Sequence, residues 1–454
     1  MNKALLIGIF QLSQVKGDSN IMRSDKMVLQ SKPLGFWTCW SLTVGIMIGS
    51  GIFLLPALLA PYGLMSFAGW ALTAGGSICM ALVIARLSSR TARSGGVYIY
   101  AQDAFGDLPG FLVAWGYWVA YWIAIPAIAI AFVGYLGVFF PVLKTSIMGQ
   151  ALSALALIWG LTLINMKSLK DAGFIQILMT ALKIIPLGLI IVLGAFMGDN
   201  VNLPEVNPEN RSFIPALATT AILTMWAFSG LEAGTIAAGN VKDAKRTIPR
   251  AILFGTLTVA FIYISSTYAV MRLVPAEQLI TSTAPFSDAA LVLGPWGPYL
   301  IATGALIATA GALNGVIFVT GQMPVALALD GFAPQIFKLR QSESAPRMSL
   351  LLGSFLGSVL LLMNYSKGLI AMFTFLAMMS TLAVLVPLLF SAAAELKYSW
   401  KSSKGLAGIA GLAFIYSVFA ILGSGINVIV WGLVLLLAGL PVYYAMKNRH
   451  RQSP

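Results

Sequence analysis

Apolar residues along this chain come in long runs separated by short polar stretches. The runs fall near residues 36 to 60, 66 to 87, 110 to 140, 147 to 166, 173 to 197, 213 to 240, 250 to 274, 296 to 327, 348 to 364, 368 to 394, 405 to 424 and 426 to 446. A bilayer core takes about 20 mostly apolar residues per helix. The pattern therefore predicts twelve transmembrane helices in an all-α integral membrane protein. Residues 1–35 form a tail ahead of the spans, and MNKALLIGIF at its start has too short an apolar run, and no cleavage site, for a signal peptide. Translation from Met22 or Met27 is an alternative start. Spans 1 to 5 occupy 36–197, spans 6 to 10 occupy 213–394, spans 11 and 12 occupy 405–446, and residues 447–454 form a second tail.

Two runs are interrupted at mid-depth. Span 1 carries Gly49-Ser50-Gly51 inside GIMIGSGIFLLP, and span 6 carries Ser229-Gly230 inside WAFSGLEAGTIAAG. Freed backbone groups are tolerated in a membrane only where they face protein, water or a ligand. In span 1 the freed N–H groups, at the positive end of the following half-helix, suit a carboxylate. Around Phe228 and Ser229 the freed carbonyls suit an ammonium, so the two breaks together describe an α-amino acid. Tight helix packing is the alternative reading of Gly-Ser-Gly alone. The breaks lie five spans apart, which predicts two inverted five-helix repeats with broken helices 1 and 6. Weaker echoes agree: LKIIPLGL in span 5 with AVLVPLLF in span 10, and YAQDAFGDLPG after span 2 with FSDAALVLGPWG after span 7.

Composition fits lipid: 59% of the 454 residues are hydrophobic and 9% are charged, with a net charge of +13. The positive charge collects in short loops rather than on one soluble face, so it sets topology and does not indicate nucleic acid. Arg86, Arg90 and Arg93, Lys167 and Lys170, Lys242, Lys245, Arg246 and Arg250, Lys338, Arg340 and Arg347, and Lys397, Lys401 and Lys404 follow the even-numbered spans. Both termini are expected in the cytoplasm. Cys39 and Cys79 lie in apolar runs and the single histidine, His450, in the tail, so no metal site or cofactor is implied.

Of the 15 acidic and 28 basic residues, only Glu232 and Lys183 fall well inside a span. An ionisable group at that depth costs about 2.5 to 3.5 kcal/mol to insert, which marks both as coupling candidates. Mutual neutralisation or snorkelling is the structural alternative.

IGSGIFLLP in span 1, SGGVYIYAQDAFG after span 2 and WAFSGLEAGTIAAGNVKDAKRTIPRAI through span 6 together resemble the amino acid-polyamine-organocation transporters. The closest branch holds bacterial arginine-agmatine and putrescine-ornithine antiporters. The resemblance implies the leucine-transporter fold, alternating access and a bacterial cytoplasmic membrane. It also implies a substrate carboxylate on Gly49, Ser50 and Gly51, and an amino group on the carbonyls of Met47, Trp226 and Ser229. Trp226 matches an aromatic gate, and Glu232 an acid that couples protons to transport. The branch grips a guanidinium through an amide on span 3 and a tryptophan on span 8, where this chain has Ile125 and Val316. With Tyr121 and Asn314 they make an apolar wall, which favours neutral amino acids over basic ones; a basic amino acid/polyamine antiporter is the alternative. Lys183 resembles the span-5 lysine of sodium-independent transporters, reaching toward span 1 near Gly45 and Ile46 and toward span-8 hydroxyls. The expected partners are an amino acid, an exchanged amino acid or amine or protons, and the lipid bilayer; a homodimer stays open.

A channel would show charged rings or a repeated filter. A hydrolase would need a nucleophile with a base or a metal. An ATP-driven pump would need a phosphate-binding loop. The sequence contains none of these patterns, so an enzyme is not expected.

Overall fold

The computed structural model describes residues 35–90, 97–166, 173–232, 241, 243–337 and 345–452. The first tail, Gly234 and Gly239 of the second break, and much of the basic loop sequence lie outside them. The chain is all-helical. Its first half contains α1 (Phe36–Met47), α2 (Ser50–Leu59), α3 (Ser66–Arg90), α4 (Val97–Phe105), α5 (Asp107–Phe139), α6 (Ile147–Asn165), α7 (Gly173–Met197) and α8 (Phe213–Phe228). The second half contains α9 (Ala244–Leu273), α10 (Ala276–Thr281), α11 (Pro285–Ala289), α12 (Gly297–Leu329), α13 (Arg347–Asn364) and α14 (Leu369–Ser399). It ends with α15 (Lys404–Gly423), α16 (Ile426–Leu437) and α17 (Gly439–Gln452).

Among the described residues, ten helical stretches are long and apolar enough to cross a membrane. The apolar helices α1 and α8 are shorter, at 12 and 16 residues, because each stops at an interruption. The two half-polar segments noted in the sequence are the short helices α4 and α11, each placed just ahead of a long helix.

Burial sorts the helices. In the most apolar window of α5, 78% of residues are inside the protein, against 17% for Ile426–Lys447. Thus α5 is the axis, with α12, α13 and α14 packed along it, while the last stretch lines the periphery. A second group forms around α9, which packs on α1, α3 and α7. The half-helix α2 lies between the groups, touching α8, α5 and α9. Polar threads join them: Ser380 of α14 donates to the Ala120 carbonyl of α5 at 2.7 Å, and Tyr135 of α5 donates to the Phe53 carbonyl of α2 at 2.7 Å.

One expectation about charge is corrected. Glu232 is not the only buried acid, because Glu395 is 1% exposed near the end of α14. The helix runs on to Ser399, beyond the apolar run, and carries Glu395 under Arg90 of α3, whose guanidinium donates to it at 2.9 Å. Ser399 donates to the same carboxylate. A span-end acid is buried here because a basic partner from another helix reaches it.

Candidate functional site

The first break lies slightly ahead of its expected centre. Helix α1 ends at Met47, Ile48 turns out of helical geometry (ψ 87°), and the Gly49 N–H returns to the Met47 carbonyl at 2.8 Å, a tight three-residue turn. Ser50 and Gly51 already belong to the first turn of α2. No side chain caps that helix start, so its leading N–H groups have no partner within the helix. Gly51 is required by contact: a β-carbon there would stand 2.8 Å from the Trp226 ring.

The second break falls where the sequence places it. Helix α8 ends at Phe228, Ser229 is extended, and Gly230 takes φ +96°, a backbone region that favours glycine. A β-carbon on Gly230 would also meet the Ile46 side chain at 2.5 Å. Each break thus needs a glycine against the other broken element. Trp226, 7% exposed, stands edge-on to Phe373 of α14 at 6.1 Å.

Because α1 and α8 both stop here, the C-terminal ends of two half-helices converge, and their carbonyl-rich ends carry partial negative charge. Tyr263 of α9, fully buried, lies between them: its hydroxyl is 2.6 Å from the Met47 carbonyl and 3.2 Å from the Ala227 carbonyl. The Met47 oxygen therefore has two donors, Tyr263 O–H and Gly49 N–H. The Trp226 carbonyl receives the Ser229 N–H at 3.2 Å.

Glu232 sits two residues past Gly230 and is 2% exposed. Tyr117 of α5 donates to one of its carboxylate oxygens, and the Tyr117 and Tyr121 hydroxyls are 3.0 Å apart. Backbone N–H groups of Gly230 and Glu232 also reach the carboxylate. Lys183 of α7, 5% exposed, donates to the Gly45 carbonyl in the last turn of α1 at 2.8 Å, with its methylene stem beside Gly311 of α12. Glu232 and Lys183 each serve a different broken element rather than each other.

The expected apolar wall is only partly assembled. Ile125 is fully buried against Gly357 of α13, where a β-carbon would come within 3.2 Å of it. The Asn314 carbonyl oxygen accepts from the Asn165 side chain of α6 at 2.8 Å, and Val316 is partly buried on the same helix, α12. Tyr121 alone of the four is linked to a break, through Tyr117. Tyr117 and Tyr263 were not singled out from sequence: a tyrosine within an apolar run carries no signal of its own. The i, i+4 spacing of Tyr117 and Tyr121 on one helix face was the available clue.

Two breaks, one offering donors and the other acceptors, with one buried acid and one buried base held beside them, define a membrane carrier of small charged solutes. The amino acid permease profile matches residues 34–431, and the chain belongs to that family. A Bacillus subtilis (strain 168) protein named for arginine/ornithine antiport is 32% identical, covering 93% of this chain and 99% of that protein. An Escherichia coli (strain K12) cadaverine/lysine antiporter is 28% identical over 93% of this chain and 97% of its own length. A putrescine transporter of the same strain is 30% identical over 93% and 99%. The protein is an integral membrane transporter.

Proposed function

We propose that the protein is an antiporter of basic amino acids and their diamines, working by alternating access in the bacterial inner membrane. The observation that carries this reading is Glu232, a buried carboxylate two residues beyond the second break, joined to two phenols. A permanent acid in an apolar core suits cationic cargo. The names of the relatives agree. Exchange of neutral amino acids, which Ile125 and Val316 favoured, is the second reading, and it is weakened by the burial of Ile125 against α13.

In this account α1 with α2 is the first span and α8 begins the sixth, giving twelve spans in two inverted repeats of the leucine-transporter type, with both termini in the cytoplasm. The substrate carboxylate meets the first N–H groups of α2 and the Ser50 hydroxyl beside Gly49 and Gly51. The α-ammonium rests on the carbonyls of Trp226 and Ser229, with the already doubly bonded Met47 carbonyl shaping that corner. Lys183 holds the end of α1 as a built-in cation, which makes transport independent of sodium.

Exchange in proteoliposomes tests the function. Vesicles loaded with lysine, ornithine, arginine, cadaverine or putrescine should accelerate uptake of labelled lysine without sodium, and leucine-loaded vesicles should not. Acceleration by leucine alone would establish the second reading instead.

A further inference from the structure

The two phenols and Glu232 form a chain whose proton order can be worked out. A phenol has one proton to donate and lone pairs to accept. Tyr117 spends its proton on the Glu232 carboxylate. The 3.0 Å contact between the hydroxyls must then be made by the Tyr121 proton, with the Tyr117 oxygen accepting. Every O–H in the chain points toward Glu232, which leaves the Tyr121 oxygen with its lone pairs facing onward and no proton to offer there. Hydrogen bonds in series polarise one another, so that oxygen carries part of the carboxylate's charge.

The chain leads toward the breaks. Tyr117 is beside Glu232, and Tyr135, further along the same helix, is beside Phe53 of α2. The intervening part of α5 therefore passes the level at which α1 and α8 stop. Tyr121 is the first turn on that path.

We propose that Tyr121 is the residue that receives the distal ammonium of a basic amino acid or diamine, and that the protonation state of Glu232 reverses the direction of the phenol chain. This rests on the antiporter reading above and adds the group that selects the cation. With Glu232 ionised, the Tyr121 oxygen accepts from the ammonium. When Glu232 takes up a proton, its O–H turns to the Tyr117 oxygen, the Tyr117 proton turns to the Tyr121 oxygen, and the Tyr121 proton turns toward the substrate. No covalent bond changes other than the one formed to the arriving proton, and each phenol keeps its own hydrogen. The site then presents a donor to a cation and rejects it. One proton bound at Glu232 thereby replaces one positive charge on the substrate. The titratable groups that the structure sets on this chain are Tyr117 and Tyr121 of α5. Lys183 of α7, the other charged group brought to the breaks, is engaged with the Gly45 carbonyl of α1.

The test compares lysine with norleucine, which has the same carbon chain without the distal amine, by competition binding to the purified protein across a pH series. In the wild type, lysine affinity should fall as pH falls while norleucine affinity stays level. Tyr121→Phe should weaken lysine binding roughly tenfold at the higher pH, flatten its pH dependence and leave norleucine unchanged. Tyr117→Phe, which cuts the chain but keeps the terminal hydroxyl, should flatten the pH dependence in the same way and provides the readout if the first variant does not fold. Retention of both the lysine preference and its pH dependence in either folded variant would overturn the inference. Wild-type protein that exchanges no basic amino acid or diamine would instead overturn the antiporter reading, so the two failures are distinct.

Discussion

The two interruptions look alike in sequence, a pair of small residues in an apolar run, and yet they end in opposite chemistry. At the first, α1 stops at Met47 and α2 starts again at Ser50, so the break is short and its new feature is a fresh helix start with unpaired N–H groups. At the second, α8 stops at Phe228 and the chain passes through extended Ser229 and left-handed Gly230 to a buried carboxylate. A short break exposes donors; a longer one exposes acceptors and leaves room for an acid. The polarity of a membrane site here depends less on which residues interrupt the helix than on how soon the helix resumes.

The largest expected effect comes from closing the first break against the second. Gly51→Val places branched carbon where a single β-carbon would already be 2.8 Å from the Trp226 ring, and binding of every substrate should be lost. The comparison would fail if this variant, folded and monodisperse by size-exclusion chromatography, bound lysine with wild-type affinity.

Next in size is the removal of the cation that holds α1. Lys183→Ala leaves the Gly45 carbonyl without its donor, at a cost of about 1 to 3 kcal/mol for a buried acceptor. Exchange should fall by an order of magnitude or more while lysine binding changes less, and Lys183→Arg should rescue it only in part, because a planar fork does not replace a compact ammonium. Normal transport by Lys183→Ala, or a sodium requirement in the wild type, would remove the lysine from the account.

Glu232→Gln sharpens the second break. The amide keeps the shape of the carboxyl but exchanges no proton, so binding should persist within about tenfold while the pH dependence of exchange flattens. An unchanged pH profile would make Glu232 a packing residue of the unwound segment.

Much of this arrangement could be read in the sequence, and the reasons differ by residue. Glycine pairs at mid-depth and charges in apolar runs stand out because lipid makes both costly, which is why the breaks, Glu232 and Lys183 were found. The contact of Lys183 with Gly45 was foreseen because a proline-containing helix faces a broken one, whereas Ile46 instead packs on Gly230. Position in an aligned motif was a weaker guide: Ile125 falls where a substrate contact is expected, and its side chain lies against Gly357. Tyr117 and Tyr263 stayed hidden because their roles depend on which helix faces them, and nothing in an apolar run records that. Glu395 was read as a span-end charge, since its burial comes from Arg90, 305 positions away in the chain.

The central claim is that the first break holds the carboxylate and the second the amine. Lysine and cadaverine differ by that carboxylate alone, so the ratio of their affinities in Ser50→Ala, relative to wild type, tests it most directly. Removing the hydroxyl should weaken lysine about tenfold, as for a hydrogen bond to a charged group, and leave cadaverine unchanged, so the ratio falls. An equal loss for both ligands, or a loss confined to cadaverine, would contradict the assignment.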